Sequence, residues 1–229
     1  MKSRRGKFRI EPILAALLLL FLWGCQGEET SSEEEVPVTQ NLPFYNSADF
    51  TPHWITPKSD SLDDFHRIPP FSLTNQNGET ITEKTFAGKI YVVDFFFTSC
   101  PGICPKMTKN MTLLQDAFRD DDEVLLMSHS VTPESDSVSI LRGYADMNDV
   151  QDGKWHLVTG ERSEIYDLGR NQYFVEENMG LEKSPSDFLH TENFVLIDQN
   201  RHIRGIFNGL DKADIQHLIE DIKTLKNEG

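Results

Sequence analysis

IYVVDFFFTSCPGICPKM, residues 90–107, decides the fold of this 229-residue chain. Its first eight residues, 90–97, are apolar except for Asp94, a pattern typical of a strand buried on both faces of a sheet. After Pro105, apolar residues recur at helical spacing, at Met107, Met111, Leu114 and Phe118. The sequence therefore predicts a central strand that delivers the chain to Cys100, followed closely by a helix.

Strands and helices alternate on both sides of this unit. Upstream, residues 71–73 and 80–81 flank the turn Asn77-Gly78 and predict a short hairpin. The downstream elements, in chain order, are a strand at 124–127, a helix at 135–144, a strand at 156–158, a helix at 163–170, a hairpin of 194–197 and 203–207, and a closing helix with apolar residues Ile215, Leu218, Ile222 and Leu225.

This element order predicts an α/β protein with a thioredoxin-like fold, in which helices flank a central mixed sheet. The unit beginning at residue 90 is βαβ, which implies parallel strands joined by a right-handed crossover. Residues 61–229 are enough for one domain of ordinary size, and the sequence has no internal repeat.

The N-terminus has the layout of a secretory signal. An apolar run over residues 13–23 is followed by Gly24, and it is too short for a bilayer-spanning helix, which takes about 20 apolar residues. The basic residues that precede the run are Lys2, Arg4, Arg5, Lys7 and Arg9. We therefore expect residues 1–24 to be a cleaved signal peptide.

The tetrapeptide Leu22-Trp23-Gly24-Cys25 resembles a bacterial lipobox, which implies lipidation of Cys25 and a membrane-anchored lipoprotein outside the cytoplasm, in the cell envelope. The alternatives are a signal anchor, or an ordinary signal peptide with an incidental cysteine. Residues 25–40 are acidic and too poor in large apolar side chains to fold, so we expect a disordered tether. Aromatic residues within 41–60 predict an N-terminal arm packed on the domain.

The charge of the chain excludes one class of partner. Removing residues 1–24 takes away five basic residues and Glu11, which leaves 17 basic and 36 acidic residues and a net charge of −19. Such a surface repels phosphate backbones, so nucleic acid is not expected as a partner. The acidity favours cations or cationic partner surfaces, or serves solubility.

Three cysteines are present, and lipidation of Cys25 would leave Cys100 and Cys104 as a pair. A structural disulfide is one interpretation, but a loop this short constrains little of the unfolded chain. Pro105 suits the first turn of a helix, where free backbone N–H groups and the helix dipole stabilise a thiolate. The position therefore favours a functional pair.

Thiolates are soft ligands that select copper(I) over hard cations, and two thiolates with one imidazole differ from the closed four-ligand sites of structural zinc. Spacing alone does not identify the third ligand. The loop before strand 194–197 is expected to open at the same end of the sheet as the cysteines, which favours His190. The histidines that compete are His53, His66, His129, His156, His190, His202 and His217.

The segment FFFTSCPGICPKM, residues 95–107, resembles the motif of the Sco (SenC/PrrC) family of copper-binding assembly factors. The similarity continues in residues 130–145, 155–160 and 187–209. It implies that Cys100, Cys104 and His190 bind copper, as Cu(I) or Cu(II). It also implies maturation of the binuclear copper site of cytochrome c oxidase, by delivering copper, by reducing the target's cysteines, or both. The partner would be the copper-bearing oxidase subunit or another copper protein.

Two positions depart from the family pattern. The family usually carries Asp where this chain has Gly102, and Asp-Pro where it has Thr132-Pro133. Neither departure removes a ligand. The missing carboxylates could change partner docking, thiol acidity or copper affinity.

The main alternative is a thiol-disulfide oxidoreductase without a metal role, using Cys100 and Cys104 as a redox-active disulfide. Redox thioredoxins use Cys-X-X-Cys, whereas three residues intervene here, and the cis-proline expected before Phe194 is missing. A peroxidase would need a single activated cysteine, which the sequence does not indicate. A copper sensor would use the same ligands as a chaperone. A classical enzyme is not expected, although thiol-disulfide activity stays open.

Overall fold

The computed structural model describes residues 41–176 and 187–228. The predicted signal peptide, the lipidation site Cys25 and the acidic tether lie outside these residues. Across the described part of the chain, no helix combines the length and apolarity needed to cross a membrane.

Seven strands form one mixed sheet with the order β2-β1-β5-β4-β3-β6-β7. β3 pairs in parallel with β4, and β4 with β5, whereas the remaining pairs are antiparallel. The strands are β1 Ser72–Asn75, β2 Thr80–Thr82, β3 Ile90–Phe96, β4 Val124–Ser130, β5 Trp155–Thr159, β6 Asn193–Ile197 and β7 Ile203–Asn208. The predicted mixed sheet and the parallel βαβ unit are confirmed.

Helices cover both faces of this sheet. The α-helices are α1 Cys104–Ala117, α2 Val138–Met147, α3 Arg162–Asp167 and α4 Lys212–Glu228. α1, α2 and α4 pack on one face, and α3 packs on the other together with the π-helical turn Leu168–Gln172. Short 3-10 turns at Asp60–Leu62 and Glu83–Phe86 complete the elements of residues 41–176 and 187–228.

Strand β3 lies inside the sheet, and all seven of its residues are buried. Val92 and Phe96 join the core beneath α1, whereas Val93 and Phe95 join the core on the opposite face. This two-sided burial is the physical reason for the uninterrupted apolar run in the sequence.

Two helix boundaries differ from the sequence prediction. The helix expected from residue 135 begins at Val138, because the side chain of Asp136 is buried and accepts hydrogen bonds from neighbouring hydroxyl groups, which holds a turn instead. The helix expected to reach residue 170 is α-helical only to Asp167 and then widens into the π-helical turn.

The N-terminal arm is fastened to the domain by Arg204 of β7. The Arg204 side chain is buried, and it pairs with Asp198 at 3.2 Å and with Glu228 at 2.7 Å. It also donates to the backbone carbonyls of Leu42 and Pro43 and lies 3.8 Å from the centroid of the Phe44 ring. Because β6 runs antiparallel to β3, this cluster lies at the end of the sheet opposite to Cys100.

We expect Arg204→Ala to lower the free energy of unfolding by about 3–5 kcal/mol, because it leaves two buried carboxylates without their cation. Urea denaturation followed by circular dichroism measures this change. Lys223→Ala is the control, since Lys223 forms an exposed pair with Glu220 and should change stability by less than about 1 kcal/mol. Equal stability of the two variants would show that Arg204 does not fasten the arm.

Candidate metal centre

The two cysteines lie where the chain leaves β3 and enters α1. The backbone N–H of Cys100 donates to the carbonyl of Phe97 at 3.3 Å, which folds the loop back on the end of the strand. Cys104 is the first residue of α1 and Pro105 the second, as the sequence predicts. Both side chains are free thiols, Cys104 buried and Cys100 partly exposed.

The two thiols differ in acidity. Burial opposes ionisation of Cys100, but hydrogen bonds from the Cys104 thiol and from the backbone N–H groups of Cys104, Gly102 and Ile103 outweigh it and lower the pKa of Cys100. Burial raises the pKa of Cys104, and its hydrogen bond to Cys100 raises it further. The arrangement therefore favours one thiolate, on Cys100, that accepts a hydrogen bond from the neutral Cys104 thiol.

Asp136 holds the start of this loop through hydrogen bonds to Thr98, a role that no local sequence pattern predicts. Its carboxylate accepts from the Thr98 backbone N–H at 3.2 Å and from the Thr98 hydroxyl at 2.5 Å. It also accepts from the hydroxyls of Ser130 at 2.6 Å and Thr132 at 3.0 Å. Ser130 and Thr132 lie close to Asp136 in the sequence, but Thr98 follows a different strand. Its contact with Asp136 can be recognised only once β3 is known to pair with β4.

A second carboxylate, Asp94 of β3, is buried on the α1 side of the sheet. Trp155 Nε1 donates to Ser128 Oγ at 2.8 Å, on the strand next to Asp94. Burial raises the pKa of Asp94 to about 7, although the neighbouring Ser128 side chain works in the opposite direction. When ionised, Asp94 also opposes ionisation of Cys104.

His190 is exposed between two buried neighbours. Leu189 packs against Gly169, where a Cβ would lie 2.6 Å from Leu189 Cδ1. The Thr191 hydroxyl donates to the Val175 carbonyl at 2.7 Å. The backbone is therefore fixed on both sides of an imidazole that faces solvent.

An aromatic pair connects this loop to the cysteine segment. The rings of Phe97 and Phe188 meet edge to face, with their centroids 5.5 Å apart. The carbonyl of Phe97 also accepts the hydrogen bond from the Cys100 N–H. Phe188, which contacts Phe97, lies two residues before His190, so the His190 loop touches the cysteine loop. β6 begins three residues after His190, beside the end of β3. The loop that carries His190 therefore opens at the same end of the sheet as the cysteine loop, as the sequence predicts.

The three predicted ligands do not form a closed site in this conformation. Within residues 41–176 and 187–228, no three side chains of His, Cys, Asp or Glu stand together in a group that could hold a metal ion. The structure therefore brings Cys100 and Cys104 together and leaves His190 on an adjacent loop. The ligand set stays a prediction.

Three of the competing histidines, His129, His156 and His202, are buried and lie away from the cysteines. His129 of β4 stacks on Phe95, 4.6 Å between centroids, on the sheet face opposite to α1, and burial lowers its pKa to about 3. His156 lies against Phe86 on that same face. His202 Nδ1 lies 2.9 Å from the His66 carbonyl, near the β6–β7 turn.

Comparison with known proteins gives consistent relatives. The SCO1/SenC family model matches residues 59–227. BsSco, described as a member of the Sco family of cytochrome c oxidase assembly proteins with a disulfide switch, is 27% identical with a TM-score of 0.59, over 70% of this chain and 93% of that chain.

Two further solved structures are similar. A SCO1/SenC family lipoprotein from Bacillus anthracis is 30% identical with a TM-score of 0.60, over 70% of this chain and 95% of that chain. ScoI of Bradyrhizobium japonicum with copper bound is 26% identical with a TM-score of 0.55, over 69% of this chain and 99% of that chain. The thioredoxin-like fold is thereby confirmed.

The buried carboxyl of Asp94 should make the stability of the copper-free protein depend on pH. Its pKa rises from 3.8 to about 7 on folding, so its contribution to stability is complete below about pH 4 and is lost as the pH rises through 7. Asp94→Asn removes this loss. Relative to wild type, the variant should gain on the order of 4 kcal/mol between about pH 4 and pH 8.

Urea denaturation across that pH range measures the difference between the two proteins. Asp116→Asn is the control, because Asp116 is an exposed carboxylate of α1 paired with Arg119, and water screens such a pair. Parallel pH profiles for Asp94→Asn and wild type would contradict a buried carboxyl that is protonated in the native state.

Proposed function

Because the chain belongs to the SCO1/SenC family, we propose that it serves the assembly of cytochrome c oxidase by carrying copper to the binuclear copper site, by reducing the cysteines of that site, or both. A solved relative is described as a cytochrome c oxidase assembly protein, and another holds copper. The observation that carries the proposal is the pair of free thiols, four residues apart, at the N-terminus of α1.

Copper is the cargo, and Cys100, Cys104 and His190 are its proposed ligands. Two thiolates suit Cu(I), and an added imidazole suits Cu(II) as well. The exposed His190 imidazole has to approach the cysteines to complete the set. Its loop touches the cysteine segment through Phe97 and Phe188, which places His190 on a segment adjacent to the cysteines.

The unequal acidities of the thiols set the proton balance of loading. Copper binds thiolates, so each coordinated cysteine must give up its proton. The lowered pKa of Cys100 makes it the first ligand, whereas the raised pKa of Cys104 means that its proton is displaced as copper binds. Loading therefore favours higher pH, and protonation of Cys104 favours release.

The same inequality supports the reductase activity. The Cys100 thiolate attacks a target disulfide and releases one target thiolate, which takes up a proton. Cys104, buried beside Cys100, then loses its proton and attacks the mixed disulfide. The products are two target thiols and a Cys100–Cys104 disulfide, a balanced two-electron exchange. That disulfide lacks thiolates, so oxidation also removes the copper ligands.

His190→Ala distinguishes the copper activity from a purely redox one. Loss of the imidazole should weaken copper binding at least 10-fold, because even the loss of a residue that supports a ligand costs about 10- to 100-fold. Competition with a copper chelator measures the affinity. The variant should still cycle between dithiol and disulfide, since both cysteines keep their positions at the start of α1.

His217→Ala is the matched control, because His217 is exposed on α4. Wild type oxidised to the Cys100–Cys104 disulfide should bind little copper, which tests the thiols separately. Equal copper affinity of His190→Ala and wild type would remove His190 from the ligand set.

We place the protein on the extracytoplasmic side of a membrane, anchored by lipid at Cys25. Support comes from the lipobox-like Leu22-Trp23-Gly24-Cys25 and from the similar Bacillus anthracis protein, which is described as a lipoprotein. Cys25→Ala should release the protein from the membrane fraction and leave the urea midpoint of the domain unchanged. A variant that stays in the membrane fraction would favour an uncleaved signal anchor instead.

A further inference from the structure

Arg170 contacts two chain segments that precede His190, at Glu176 and at Asp187. It lies in the π-helical turn, a kind of irregularity that is frequent at functional sites. Its Nε lies 2.8 Å from Glu176 Oε2, and its Nη2 donates to the Asp187 carbonyl at 2.6 Å. The Arg170 and Glu176 side chains are 15% and 8% exposed, so solvent screens this ion pair weakly.

Glu176 passes this connection on to His190. Its second carboxylate oxygen, Oε1, accepts the backbone N–H of His190 at 3.3 Å. One carboxylate therefore binds the arginine with one oxygen and the histidine backbone with the other. Arg170 also donates to the carbonyl of Asp187, three residues before His190. The loop is therefore hydrogen-bonded at two positions, the Asp187 carbonyl and the His190 N–H.

Arg170 is connected, through Tyr166, to the end of the strand that precedes the cysteines. Its guanidinium lies 5.2 Å from the centroid of the Tyr166 ring. The buried Tyr166 hydroxyl donates to the Val131 carbonyl at 3.1 Å, and the Val131 N–H donates to the carbonyl of Phe96 at 2.9 Å. Phe96 is the last residue of β3. A continuous set of contacts thus runs from the end of β3, through Tyr166, Arg170 and Glu176, to the backbone of His190.

We propose that Arg170 is a positioning residue for copper, which fixes the backbone of His190 through Glu176 so that the imidazole is presented to the cysteines from an anchored backbone. The inference rests on the proposed role of His190 as a ligand. An exposed side chain that must be ordered on binding costs conformational entropy, and an anchored backbone lowers that cost. Arg170 therefore acts on copper affinity through His190 and not through the cysteines.

The test is a double-mutant cycle between Arg170→Ala and His190→Ala, read as copper affinity against a competing chelator. In the wild-type background, Arg170→Ala should weaken copper binding about 10- to 100-fold. In the His190→Ala background the same change should have less than a 2-fold effect. Arg170→Lys should fall between wild type and Arg170→Ala, because lysine keeps the charge and loses the planar fork.

Arg162→Ala is the matched control. Arg162 stacks on the same Tyr166 ring at 4.3 Å, but it pairs with Glu134 and not with Glu176 or Asp187, so copper affinity should change less than 2-fold. In the copper-free protein, Arg170→Ala should speed hydrogen exchange of the His190 amide, whereas Arg162→Ala should not. If Arg170→Ala fails to fold, Glu176→Gln removes the ion pair with little change of shape and takes its place.

Each outcome separates the two proposals. Equal affinities of His190→Ala and wild type would overturn the ligand assignment, and the role of Arg170 with it. If His190→Ala lowers copper affinity and Arg170→Ala does not, the positioning role of Arg170 is overturned, while His190 keeps its role as a ligand. If Arg170→Ala lowers copper affinity equally in the His190→Ala background, Arg170 does not act through His190, and the positioning role is overturned.

Discussion

The burial of β3 on both faces is the constraint on which the rest of the structure depends. A strand with helices on one side and a second core on the other has no solvent-exposed face, so all of its residues except Asp94 are apolar and its position in the sheet is clear from the sequence. Its end at Phe96 then fixes where the loop with Cys100 begins. The neighbouring strands β4 and β6 bring Asp136 and the His190 loop to that same end.

The chemistry follows from two opposing effects at this strand end. Removal from water penalises both thiolates, but backbone N–H groups at the start of α1 converge on Cys100 and not equally on Cys104. The nearby Asp94 adds to the penalty on Cys104 when it is ionised. A site with one ready thiolate and one retained proton can load a soft cation, release it on protonation, or exchange disulfides, without a change of fold.

The sequence predicts the parts of this protein that depend on local pattern. Apolar runs located the strands, and Pro105 located the start of α1, because burial and helix capping leave periodic or local traces. Asp136, Asp94 and Arg170 were missed for one shared reason. Their roles depend on partners such as Thr98, Ser128 and Glu176, which reach them through pairing between strands or through a turn that the helix pattern does not reveal.

The two departures from the Sco pattern have different surroundings: Gly102 lies beside Cys100, and Thr132 lies beside Asp136. A Cβ at Gly102 would lie 4.0 Å from Cys100 Sγ, so the aspartate usual in the family would bring a negative charge to the more acidic thiol. Thr132 donates its hydroxyl to Asp136 at 3.0 Å, whereas an aspartate at that position would face a buried carboxylate. Glycine at 102 therefore avoids a charge that would oppose the Cys100 thiolate, and threonine at 132 supplies a hydrogen bond to Asp136, which holds Thr98 of the cysteine loop.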